Sequence, residues 1–246
     1  MERSHVIMFS DIRSYVDAAV ARDPAARSRA EVLLLYPGVH ALAWHKLSHW
    51  LYRHSVFGLA RFLSQLVRFF TGIEIHPGAH VGQGVFIDHG MGVVIGETAI
   101  VGSDVTIYQG VTLGGTGKET GKRHPTIEDG VVVSAGAIVL GSITVGANSK
   151  IGAGAVVIHD VPADCTVVGV PGRVVARSGV RVREADVLNH GDLPDPVGRA
   201  LEHMASRLNA VEAELHAVRA ASRQRPKLIT DEGSIAQEAE VSEYRI

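Results

Sequence analysis

An α+β chain is predicted, with a helical N-terminal domain, a parallel β-helix after it, and a C-terminal helix and tail. Three observations in the 246 residues predict it. Helix-type apolar spacing runs through the segment before Gly72, a six-residue repeat of aliphatic positions follows it, and a four-and-three alternation of apolar residues begins at Val197. These changes of period set the expected boundaries at 1–71, 72–176 and 177–246.

In the first segment, "DIRSYVDAAVARDPAA" carries an apolar stripe through Ile12, Val16 and Val20, and Asp23-Pro24 breaks it;. A second helix is expected to begin near Arg27. Pro37-Gly38 punctuates the chain before a helix that includes Leu42, Leu47 and Leu51, and Phe57 to Phe70 forms a further helix;.

The middle segment repeats every six residues. Ile75, Val81, Ile87, then Ile95, Val101, Ile107, Leu113, then Ile127, Val133, Val139, Val145, Ile151 and Val157 stand in frame. Glycine follows at Gly82, Gly96, Gly102, Gly146 and Gly152, and small or aliphatic residues recur four places on, as at Ala79, Val85, Val105 and Ala137. A period of six is neither helical nor simply alternating. It fits short strands joined by tight turns, three to a coil, wound into a triangular left-handed β-helix with the aliphatic side chains stacked inside.

The frame breaks twice. Ile87 and Ile95 are eight apart, so two extra residues bulge after Asp88-His89, and Leu113 and Ile127 are fourteen apart, so eight extra residues leave the coil. Solenoids carry functional insertions on one face, which makes these the two places to look for a site.

Composition narrows the function classes. Lys plus Arg total 24 against 26 acidic residues, a formal charge of −2, which argues against nucleic-acid binding by bulk electrostatics;. The single cysteine, Cys165, allows no intrachain disulfide framework, lies away from both insertions and is expected to be buried; the chain reads as cytoplasmic;. "MERSHVIMFSDI" lacks the apolar core of a signal peptide, and "VFGLARFLSQLVRFF" is interrupted by Arg61 and Arg68, which suits an amphipathic helix packed on protein;.

Several stretches resemble the serine O-acetyltransferases of the hexapeptide-repeat acyltransferase family. They are "RDPAA" at 22–26, "LLYPGVHALAWHKLSHWL" at 34–51, "IEIHPGAHVGQGVFIDHGMGVVIGE" at 73–97, "GVTLGGTGKETGKRHPTI" at 110–127 and "GVPGRVV" at 169–175. The resemblance implies transfer of an acetyl group from acetyl-CoA to L-serine in cysteine biosynthesis, with no metal or tightly bound cofactor. It implies His89 as general base, and imidazole is the side chain best matched to exchange a proton near neutrality. A catalytic imidazole needs an acceptor on its other nitrogen, and the resemblance gives that place to Glu74. It assigns Asp23 and Asp88 to the serine amino group and Arg123 and His124 to the serine itself, the arginine fork suiting a carboxylate. Gly114, Gly115, Gly117, Ala135 and Ala153 are the implied coenzyme contacts. Lys118 and Lys122 are left between coenzyme phosphates and mere solvation of the loop.

Alternatives stay open at this point. An amino sugar or another hydroxyl could be the acceptor, or the chain could act mainly as a regulator bound to cysteine synthase. His76, His80, His89 and His124 invite a zinc site, although Arg123 would oppose the metal. The flat sides of a triangular prism pack well in threes, so a homotrimer, alone or paired as a hexamer, is expected, with the 114–126 loop projecting to a neighbour's His89. The resemblance further implies a tail ending in Ile246 that inserts into cysteine synthase; Arg245 departs from the family's usual glycine. The series Val197, Leu201, Met204, Leu208, Val211, Leu215 and Val218 fits either a coiled coil or a helix packed on the body;.

Overall fold

A computed structural model describes residues 2–118, 120–177 and 196–223. Four helices come first: α1 (Glu2–Arg22), α2 (Arg29–Leu35), α3 (Pro37–Arg53) and α4 (Phe57–Thr71). The second starts at Arg29 rather than near Arg27, because Ser28 is its N-cap and its side chain accepts from the Glu31 N–H;. Pro37 opens α3 at the position where its missing N–H costs nothing;. Gly72, at φ 71°, caps α4 in the left-handed conformation;.

Short strands then follow at the predicted positions, from β1 (Glu74–Ile75) to β14 (Cys165–Val168). They stack in three parallel sheets: β1, β4 (Val94–Ile95), β7 (Thr112–Gly114), β10 (Ile138–Leu140) and β13 (Val156–Val157) in the first; β11 (Thr144–Val145), β8 (Thr126–Ile127), β5 (Ile100–Val101) and β2 (His80–Val81) in the second; β14, β12 (Lys150–Ile151), β9 (Val132–Val133), β6 (Thr106–Ile107) and β3 (Phe86–Ile87) in the third. We call these the first, second and third faces of the prism. Each coil visits all three, giving a left-handed β-helix. All thirteen in-frame aliphatic residues are buried, and so are Ala79, Val85, Val105 and Ala137 between them. The final strand, β15 (Arg173–Arg177), pairs antiparallel with β14 and covers what would otherwise be an open sheet edge;. Cys165 lies in the solenoid core, 2% exposed.

The helices meet the coils through polar contacts as well as apolar ones. On α1 the expected stripe shifts: Val20 is 38% exposed, while Asp11, Tyr15, Ala19 and Arg22 are buried. The reason is what α1 faces. Solenoid corners present backbone carbonyls and side-chain acceptors, and Arg22 donates to Gly84 O (2.9 Å) and to Asp104 (3.1 Å), while the Tyr15 hydroxyl donates to Gly82 O (3.2 Å). On α3 the same logic exposes Leu47 and turns inward His45, which bonds Ala79 O, and Lys46, which donates to Val81 O.

A further helix, α5, spans Pro196–Arg223. By contacts the chain divides into two units, Met1–Gly198 and Arg199–Ile246. No described helix is long and apolar enough to cross a membrane. The segment leading to Arg245 and Ile246, and the connector 178–195, lie outside the described residues.

Candidate active site

The two breaks in the repeat fall at two different corners of the prism. Asp88-His89-Gly90-Met91-Gly92 joins β3 (Phe86–Ile87) on the third face to β4 (Val94–Ile95) on the first. The 115–125 excursion leaves β7 (Thr112–Gly114) on the first face and returns as β8 (Thr126–Ile127) on the second. His89 and His124 therefore stand at opposite edges of the first face.

At the first corner His89 is exposed and has φ 56°. The other non-glycine residues with positive φ are Ser55, Asp104, Asn148 and Asp164 among the described residues. Asp, Asn and His enter this region more readily than other side chains, though at a cost of about 1 kcal/mol. Glu74 begins β1 against the same corner: its N–H bonds Val93 O, and Gly92 N–H bonds Gly72 O. The Glu74 carboxylate is held by Arg68 (3.1 Å) and Arg61 (3.7 Å) of α4.

Asp23 and Asp88 are brought into one neighbourhood. The Tyr36 hydroxyl donates to Asp23 Oδ2 at 2.5 Å, and Asp23 Oδ1 accepts the Ala25 N–H, so this residue also shapes the turn after α1. Burial and the hydrogen bond to Asp23 push the Tyr36 phenol up to about 12, with Glu31 and Asp88 adding to it. Burial, Asp88 and Asp23 push Tyr108 up to about 12 as well. Two tyrosines thus feel both carboxylates. Tyr36 can reach this place because α3 enters tightly: a Cβ on Gly38 would overlap the Ile87 carbonyl, one residue before Asp88.

The second corner is organised by Thr98, Glu97 and Tyr52, none of which the sequence reading singled out. Thr98 Oγ1 accepts the Arg123 N–H (3.0 Å) and the His124 N–H (3.1 Å), and Thr98 Oγ1 lies 2.9 Å from His124 Nδ1. The Thr98 backbone N–H also donates to Nδ1 (3.2 Å). A backbone N–H can only donate, so Nδ1 must be the acceptor and the neutral ring carries its proton on Nε2. Burial, then Arg123, shifts His124 below the usual histidine value and favours that neutral form;. Its ring lies where a side chain on Gly96 would be, with Gly115 close on the loop side.

Arg123 Nη2 pairs with Glu97 Oε2 at 2.5 Å, and Tyr52 donates to Glu97 Oε1 at 2.8 Å; both hold the Glu97 carboxyl below its ordinary value. The Arg123 fork is thus engaged at one side within the chain. Lys122 donates to Thr98 O (2.8 Å) and Pro125 O (3.2 Å), pinning the base of the loop, while Lys118 is exposed at its tip. Gly114 ends β7, and Gly117 has φ 72°.

Ala135 and Ala153 fall on the His89 edge. Gly110 N–H bonds Met91 O, Gly136 N–H bonds Gln109 O, and Gly154 N–H bonds Ala135 O, so one column of turns rises from the His89 corner. Gly92, Gly110, Gly136 and Gly154 in that column all have positive φ. They leave a ledge bare of side chains at those places, flanked by Ala135 and Ala153.

Among the described residues no group of three or more His, Cys, Asp or Glu is placed to hold a metal. His76 Nδ1 accepts the Gly78 N–H, His124 Nδ1 is occupied by Thr98, and His80 packs on His49.

Residues 124–159 match the model of the bacterial transferase hexapeptide family (six repeats). Over 208 residues the chain is 58% identical to the serine acetyltransferase of Synechococcus elongatus, covering 85% of this chain and 84% of the relative. It is 56% identical over 209 residues to that of Bacillus licheniformis, covering 85% and 96%. Among solved structures it is similar to Neisseria gonorrhoeae serine acetyltransferase, at 46% identity and TM-score 0.69, over 70% of this chain and 67% of that one. A serine acetyltransferase in complex with coenzyme A, from Brucella abortus, matches at 42% identity and TM-score 0.68, over 72% and 74%. With the coils, the two insertions and these relatives in agreement, the chain belongs to the hexapeptide-repeat serine acetyltransferase family.

Proposed function

We propose that this enzyme transfers the acetyl group of acetyl-CoA to the hydroxyl of L-serine, giving O-acetyl-L-serine and CoA, as a step of cysteine biosynthesis. The observation that carries the reading is His89, held exposed and in a left-handed backbone conformation at the first corner beside Asp88. Relatives solved in complex with serine and with coenzyme A support the two substrates.

In this reading the His89 imidazole takes the serine hydroxyl proton as the oxygen attacks the thioester carbon. The tetrahedral adduct then collapses, the C–S bond breaks, and the same proton passes to the departing sulfur. The transfer is direct, and the one thiol, Cys165, is buried in the solenoid and carries no acyl group. Glu74 orients the imidazole, with Arg61 and Arg68 fixing its carboxylate. Asp23 and Asp88 receive the serine ammonium. Arg123 and the Nε2–H of His124 receive its carboxylate end. Acetyl-CoA lies with its arm along the ledge by Ala135 and Ala153, and Gly114, Gly115 and Gly117 let the loop close over it.

Since His89 and His124 stand at opposite edges of one face, a complete site needs the loop of a neighbouring subunit, as in a homotrimer. Mixing a His89→Ala chain with a His124→Ala chain tests both claims. Each alone should lose about 100-fold or more in turnover, and random mixed trimers should regain up to about one quarter of the wild-type sites. No recovery in trimers shown to be mixed would sink the shared site. An undiminished His89→Ala enzyme would sink the base. The segment ending at Ile246 is proposed as the ligand for cysteine synthase, to be tested by calorimetric titration of that peptide with and without Ile246.

A further inference from the structure

The helix α5 carries a seam that none of this uses. Its side chains at Met204, Leu208, Val211 and Leu215 are 65%, 61%, 60% and 48% exposed. They alternate at steps of four and three, and the sequence continues the alternation to Val197 and Leu201 on one side and Val218 on the other. A stripe this narrow is the seam of a coiled coil rather than the broader face of a helix laid on a globular body.

Heptad positions follow directly. Leu201, Leu208 and Leu215 fall at a, and Val197, Met204, Val211 and Val218 at d. The two-stranded preference is β-branched residues at a and leucine at d. Here the arrangement is reversed, which favours more than two strands.

The flanking charges fix the direction. Arg207 and Glu214 fall at g, Glu212 and Arg219 at e. In parallel, unstaggered helices each g residue meets the e residue five places on in the next strand. That sets Arg207 against Glu212 and Glu214 against Arg219 of the neighbour, so both contacts are attractive. The antiparallel overlap that buries the same seam keeps Arg207 against Glu214 but sets Glu212 against Ala205 and Arg219 against Gly198, so it matches only half as many charges as the parallel one;.

We infer that α5 is an association element whose occupant is two further copies of itself, in a parallel three-stranded coiled coil. The parallel direction rests on the charges; the number three rests in addition on the threefold association proposed above.

A full-length Val211→Cys chain tests this, because the native Cys165 is buried and does not compete. In a parallel bundle the d position faces its own copies, so mild oxidation should link two chains through residue 211 within an assembly of three-chain mass. Adding Leu208→Lys and Leu215→Lys should slow that cross-link at least about tenfold, as expected for charges placed in a coiled-coil seam. Sedimentation of the lysine-bearing chain reads the body separately: a three-chain mass there upholds the trimer whatever the helix does. The inference is overturned if residue 211 fails to cross-link in an intact trimer, or cross-links equally with the lysines present. It is also overturned if linkage appears only when one chain carries Val211→Cys and another Leu208→Cys, the antiparallel pairing.

Discussion

The backbone N–H of Thr98 reaches His124 Nδ1 at 3.2 Å, and the Thr98 hydroxyl lies 2.9 Å from the same atom. One residue thereby fixes which nitrogen of the histidine carries the proton, and its oxygen also gathers the N–H groups of Arg123 and His124. A Thr98→Val enzyme keeps the backbone donor but loses the hydroxyl. Its KM for serine should rise about tenfold, the worth of one or two hydrogen bonds, while the KM for acetyl-CoA holds. Thr98→Ser should restore the wild-type value. Steady-state kinetics of the three proteins decide, and a serine variant as impaired as valine would show that the methyl group matters instead.

Gly96 is required by the same histidine. A Cβ there would overlap the His124 ring. Gly96→Ala alone should cost about 1–3 kcal/mol of stability, the range for overpacking. In a His124→Ala background the space is empty and the cost should nearly vanish. Urea midpoints of the two single variants and the double variant measure this coupling. Additive losses would mean that the alanine clashes with something else.

Tyr36 donates to Asp23 at 2.5 Å. Tyr36→Phe removes a hydrogen bond to a charged group, worth about 1.5–3 kcal/mol, and frees the carboxylate to turn. The expected result is a serine KM raised about tenfold or more, with kcat changed less than about threefold. A fall in kcat with an unaltered KM would place Asp23 outside serine binding.

His45 is wholly buried, and burial above all, with His49 and Lys46 adding to it, pushes its pKa down to about 3. An unfolded histidine takes up a proton near pH 6.5, and the folded one does so only near 3. Its stabilising contribution is therefore fully present above pH 6.5 and is lost as the pH falls, by about 1.4 kcal/mol per unit. Denaturant midpoints measured from pH 7 down to 5 should drop. His45→Gln keeps a donor for the Ala79 carbonyl and should flatten the slope. An unchanged slope would assign the acid sensitivity elsewhere.

The repeat was legible because it is enforced locally. Each buried aliphatic needs only to recur at six, and the two departures from six marked the corners that hold Asp88, His89, Arg123 and His124, though not Asp23, Glu74, Ala135 or Ala153. What escaped were partnerships across coils. Tyr52 and Glu97 are 45 residues apart, Thr98 and His124 are 26, and no period shows which corner will stack on which. The buried face of α1 was misjudged in part, and that of α3 was not legible, for a related reason. Apolar periodicity assumes a greasy neighbour, whereas these helices lie against carbonyl-rich turns that call for Arg22, His45 and Lys46.

The column of turns from Gly92 through Gly110 and Gly136 to Gly154 has a length fixed by coil count. Neighbouring strands repeat about 4.8 Å apart, so four stacked turns measure out roughly 14 Å above the level of His89. Because each coil touches only those above and below it, an added turn of the solenoid would lengthen this measure by one step and leave the His89 corner at its foot undisturbed. The protein is in this sense a gauge: the distance between His89 and any group that grips the far end of an elongated ligand is written as a whole number of coils.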